Sequence, residues 1–226
     1  TFTYDSDDYY DQVTTQTITV APKAITVTAD NKSMVYGGDV PTDLTYQVTS
    51  GSLVNNDTLS SLGITANTNA TSQSNVGTYD ITLSEATNGN YNVSRVNGTL
   101  TITKAPLTIE SATVEGKEYD GNKTATVNEV ELSGMKNGET LSLNTDFTAT
   151  GEFKDANAGV DKEVTVTVTL QDTTKANNYE LKTGTFATTA TISPTETTLT
   201  LTAAGMEYTG SVYDVDNITP TSNLQR

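Results

Sequence analysis

"GTLTITKAPLTIESA", residues 98–112, is the stretch that decides the fold. Leu100 and Ile102 alternate with threonine, and the alternation resumes at Leu107 and Ile109 after a step of five from Ile102. Side chains along a strand alternate faces with a period of two, so an odd step moves the apolar side to the opposite face. One continuous strand cannot serve a single core in both halves. One β-module therefore ends, and another begins, at Pro106. The same construction stands upstream in "QTITVAPKAITVTA", residues 16–29, where a strand carrying Ile18 and Val20 gives way after five positions to Ile25 and Val27. A third strand-and-proline junction is "TATISPTETTLTLTA" at 189–203.

Other landmarks repeat at matching distances. Tyr36, Tyr119 and Tyr208 each stand in a glycine-bearing turn; "NVG" at 75–77 returns as "NAG" at 157–159; "GNYNV" at 89–93 returns as "NNYEL" at 177–181. Tyr10 in "DYYDQV" occupies the place of Tyr91 one period earlier. Agreement among independent landmarks is the signature of tandem repetition. It divides the chain into the end of a preceding repeat at 1–22, a full module at 23–104, a second at 105–193 and the start of a further repeat at 194–226.

Within the modules, "VTVTVTL" places Val164, Val166, Val168 and Leu170 on one face and Thr165, Thr167 and Thr169 on the other, and "TYDITL" does the same with Tyr79, Ile81 and Leu83. Such one-sided alternation marks a sheet with one face solvated. In "YDGN", Asp120 and Gly121 are expected to supply the left-handed backbone of a tight turn, with the Tyr119 ring over the core edge and its hydroxyl in water. The stretches 54–63 and 135–144 read as loops with at most one short helical turn. The expectation is a mainly β chain of small modules, β-grasp-like or an immunoglobulin-like sandwich, in an elongated array. Pro22, Pro106 and Pro194 sit at the junctions, and the connectors are short and lack glycine. Such links bend less than a Gly/Ser tether.

Composition limits the chemistry. Only 34% of the 226 residues are hydrophobic, while about a fifth are threonine, which suits strands presenting hydroxyls to water. The net charge of −16 disfavours nucleic acid and anionic membrane surfaces, both of which attract cationic footprints. No apolar run is long enough to span a bilayer, so no membrane insertion is expected of this segment. With no histidine and no cysteine, the commonest general base, thiolate nucleophiles and structural zinc sites are all missing. No nucleotide-binding or hydrolase fingerprint is present. The expectation is a protein that is not an enzyme and carries no resident cofactor.

Three weaker features remain. Asp5, Asp7, Asp8 and Asp11 in "YDSDDYYD" are hard oxygen ligands that could hold calcium, although the glycine and distal glutamate of an EF-hand are missing; a solvated acidic loop is the favoured reading. Tyr4, Tyr9 and Tyr10, with Tyr46 and Tyr213, offer aromatic faces on which sugar rings stack, which would make host glycans or glycoproteins partners; the alternative places these rings at the edges of small β-cores. Lys23 and Asn97, with Glu85 as the assisting carboxylate, could form an intramolecular isopeptide bond.

The series "YGG…NVGTYDITL…NYNV…NGTLTITKA" in 35–104 resembles the MBG-type repeats of bacterial cell-surface adhesins. "KEYDGNKTATV…NAGVDKEVTVTVTL…NNYELKTGTFATTATI" in 117–192 resembles the related YDG-type repeat, while 194–226 matches only through "EYTG". The resemblance implies extracellular modules strung along large bacterial surface or secreted proteins, with neighbouring repeats as partners and no enzymatic activity. It leans towards a β-grasp variant with a reduced helix. The functions in view are a stalk that projects a binding region, a glycan- or glycoprotein-binding module, and an ancillary domain of a secreted polysaccharide-active enzyme.

Overall fold

The computed structural model describes residues 2–4, 12–14 and 16–196. The chain is mainly β. A short antiparallel hairpin pairs β1 (Phe2–Tyr4) with β2 (Gln12–Thr14). The first full module then contains β3 (Lys23–Ala29), β4 (Lys32–Val35), β5 (Tyr46–Ser50), β6 (Ala66–Thr68), β7 (Gly77–Leu83), β8 (Tyr91–Val96) and β9 (Gly98–Thr103). The second contains β10 (Ala105–Val114), β11 (Lys117–Glu118), β12 (Thr124–Ala125), β13 (Val127–Ser133), β14 (Phe147–Phe153), β15 (Gly159–Leu170), β16 (Tyr179–Leu181) and β17 (Thr185–Ser193).

Both modules are built to one plan. In the first, a three-stranded sheet runs β5-β3-β8 and a four-stranded sheet runs β4-β9-β7-β6. In the second the matching sheets are β13-β10-β16 and β11-β17-β15-β14-β12, with β12 added at the edge. Each module carries two parallel pairings, β3 with β8 and β4 with β9, then β10 with β16 and β11 with β17. Among the described residues the only helical elements are 3₁₀ turns at Leu59–Leu62 and Ala176–Asn178. No sheet-crossing helix of the β-grasp kind is present among them.

The parallel pairs have a consequence for direction. Lys23 lies beside Tyr91 in one sheet and Lys32 beside Leu100 in the next, so the two strands keep one register while crossing together from sheet to sheet. At the crossing the Thr99 N–H donates to Asn31 Oδ1 at 2.8 Å. Gly98 is needed there: a Cβ would stand 2.7 Å from the Ala29 carbonyl oxygen and 2.8 Å from that of Asp30. Each module therefore has a head, where β3 and β8 start, and a tail, where β4 and β9 end.

The change of apolar face at the proline junction is present. Gly98, Leu100 and Ile102 are buried on β9; after Lys104 the buried positions become Ala105, Leu107 and Ile109. No sheet contains strands from both sides of Lys104. The interior, however, does not stop there. Leu107 and Tyr179 of the second module join the same buried cluster as Tyr36, Leu100 and Ile102 of the first. A second cluster, centred on Phe147, Phe153, Val164 and Val166, fills the rest of the second module. Separate sheets thus follow one another, but through a packed apolar contact rather than a bare connector.

Two local expectations are corrected. Residues 16–20 form no strand, and Ile18 and Val20 are 82% and 86% exposed. Their counterparts on β9 and β17 lie between two strands of their own module; residues 16–20 have no such neighbours among the described residues, and alternation alone does not pair a strand. In the turn after Tyr119, Gly121 alone takes the left-handed conformation, at φ 77°; Asp120 instead accepts from the Asn122 N–H and from Lys117 Nζ.

Candidate functional site: the junction between modules

The residues singled out for calcium, Asp5, Asp7, Asp8 and Asp11, lie outside the described residues, as do Tyr9, Tyr10 and Tyr213. Tyr4 stands on β1. Among the described residues no group of three or more acidic, histidine or cysteine side chains is placed to hold a metal ion. Tyr46 is half-buried and donates to the carbonyls of Leu59 and Ile64 at 3.2 and 3.0 Å, so its hydroxyl is engaged with its own module.

The isopeptide set does not assemble. Lys23 pairs with Tyr91 in a parallel register that puts Asn97 beyond the far end of the pairing, six residues or about 20 Å along the strand. Lys23 Nζ donates to Ser52 Oγ at 3.0 Å, Asn97 Nδ2 donates to Asp80 Oδ2 at 3.2 Å, and Glu85 is paired with Arg95.

The most developed polar and aromatic arrangement lies at the junction. Tyr36 leaves the tail of the first module immediately after β4, held by its N–H donating to the Thr103 carbonyl at 2.8 Å. Its ring packs edge-on against Tyr179, with centroids 5.5 Å apart and planes at 84°, a favoured aromatic geometry. Both phenols converge on one carboxylate: Tyr36 donates to Glu139 Oε1 at 3.0 Å and Tyr179 to Glu139 Oε2 at 2.7 Å. The Lys136 N–H donates to the Tyr179 oxygen at 3.0 Å. Tyr36 is 2% exposed and Tyr179 fully buried. Burial first, then the neighbouring Glu139, pushes both phenols above the ordinary tyrosine range.

A second contact flanks the first. The buried Asn178 accepts from the Val76 N–H at 2.9 Å and donates to Asn75 Oδ1, also at 2.9 Å. Asn137 Nδ2 adds a bond to the Ser72 carbonyl at 3.2 Å. The backbone fits equally closely: Gly37, at φ 70°, has no room for a side chain, because a Cβ there would stand 2.4 Å from Lys136 Cβ. Every buried polar side-chain atom among the described residues has a partner. Sequence reasoning had Tyr36, Tyr91, Tyr119 and Tyr179 as repeat landmarks without seeing that landmarks of adjacent modules touch.

The class this defines is a tandem of two-sheet β-modules, alike in topology and joined head to tail through a buried contact. The families are specific: residues 25–101 match the family model of the MBG domain (YGX type), and residues 103–190 match that of the YDG domain, in tandem. No curated protein matches the chain.

Proposed function

We propose that this chain is a spacer segment of an extracellular bacterial surface adhesin, in which stiffly coupled modules project a binding region away from the cell. The observation that carries this is the extended run from Tyr91 to Val114, interrupted only at Asn97 and Lys104. It passes from the head of the first module through its tail and into the second. Each module begins where the preceding one ends, and the Tyr36–Tyr179–Glu139 contact resists bending between them. About thirteen extended residues separate head from tail, so each module adds about 40 Å of reach. In this role the segment supplies length and stiffness and carries no catalysis. The strong negative charge keeps such a surface solvated and discourages association along its sides.

Small-angle scattering tests this. A compact globule of this chain length has a radius of gyration of about 17 Å. A spacer gives a clearly larger value together with a rod-like cross-sectional regime. A value near that of the globule, with no such regime, contradicts the proposal.

A further inference from the structure

Each module carries its own copy of the parts that build the contact joining them, and among the described residues the outermost copies meet no neighbouring module. On the head of the first module, Tyr91 matches Tyr179 in detail. Its hydroxyl donates to Asp57 Oδ2 at 2.7 Å and receives the Val54 N–H at 3.0 Å; Tyr179 does the same with Glu139 and the Lys136 N–H, at the same two distances. The loops agree in backbone as well, with Asn55 at φ 58° and Asn137 at φ 55°. Glu139 gives its second oxygen to Tyr36 of the module before it. Asp57 has no such donor among the described residues. Asn90, the counterpart of the buried Asn178, is exposed.

The tail of the second module shows the complementary half. Tyr119 follows β11 as Tyr36 follows β4, and its N–H donates to the Ser193 carbonyl at 2.9 Å as that of Tyr36 does to Thr103. Tyr36 is 2% exposed under the second module, whereas Tyr119 is 45% exposed. Asn157, the counterpart of Asn75, is exposed. The turns differ in one respect: the left-handed glycine stands at 37 in the first module and at 121 in the second, so the loop carrying Val54 would meet Asp120 and Gly121.

From this duplication we infer that the tail of the YDG module (Tyr119, Asn157) is a docking surface for the head of an MBG module (Asp57, Asn90, Tyr91), so that one copy of this chain binds another head to tail. The phenol of Tyr119 reaches the second oxygen of Asp57 and Asn157 meets Asn90, while Tyr91, itself only 5% exposed, holds Asp57 in place from beneath. The contact is heterologous and does not close on itself, so it adds modules in one direction. It deepens the spacer proposal by naming what couples successive units, but it stands or falls on pairing rather than on shape.

The chain has no cysteine, so introduced thiols report the contact directly. A copy bearing Asn157→Cys is mixed with one bearing Asn90→Cys and oxidised mildly; an off-face pair, Asn157→Cys with Thr167→Cys, sets the random-collision rate. Asn75→Cys with Asn178→Cys within one copy reports the existing junction, where the two side chains already touch. The expected result is mixed-dimer formation at least about tenfold faster for the docking pair than for the off-face pair, suppressed by excess wild-type chain. Equal rates for the two mixtures overturn the inference, and so does failure of the single-copy control to oxidise. A compact scattering profile with fast trapping would remove the spacer and leave the docking surface.

Discussion

At the residue scale, Glu139 does most to couple the modules, because one carboxylate receives both phenols. Tyr179→Phe keeps the ring but removes the hydroxyl, so the part-buried bond from the Lys136 N–H and the bond to the Glu139 carboxylate are both lost. A hydrogen bond to a charged group contributes about 1.5–3 kcal/mol, and urea unfolding of the variant should show a loss of that size. The same pair sets an alkaline limit. Tyrosines of the unfolded chain ionise near pH 10, while Tyr36 and Tyr179 hold their protons to higher pH in the fold. Their contribution is therefore complete below pH about 10 and is lost as pH rises through their folded values. Stability measured from pH 8 to 11 should fall more gently in Tyr179→Phe than in the parent. Little of this pairing was legible in the sequence. Tyr36 and Tyr179 are landmarks in different repeats, and a contact across that separation leaves no local pattern. Gly37 was visible only as a turn residue, although it also admits Lys136.

At the scale of elements, period-two patterning was informative and pairing was not. The alternation in 164–170 correctly placed three valines inside β15, since the face of a strand is written in its own side chains. Alternation at 16–20 misled, because a strand also needs neighbours. The parallel pairings β3–β8 and β4–β9 could not be read locally, as their partners lie most of a module apart. They place Gly98, at the crossing, in the closest approach to backbone atoms of any glycine in the first module. Gly98→Ala sets a Cβ against two carbonyl oxygens of the partnering backbone, which cannot withdraw as a flexible side chain would. A loss of about 1–3 kcal/mol is expected, with amide exchange accelerated first along β4 and β9. Unchanged exchange there would mean that the two strands do not cross in this way.

For the whole molecule, the reversal of apolar face at Pro106 was legible, and it separates the sheets as read from the sequence. The continuity of the interior across it was not, because a face reversal says where a sheet ends without saying what covers that end. Tyr36, Leu107 and Tyr179 cover it, turning a short proline link into a packed joint. The central claim is that this joint holds the two modules as one rigid body. Residual dipolar couplings of backbone amides in a weakly aligning medium test it most directly, fitted separately for residues 23–103 and 105–193. One alignment tensor, equal in magnitude and orientation for both modules, is the predicted result. Two tensors of different magnitude would show the modules reorienting independently and contradict it.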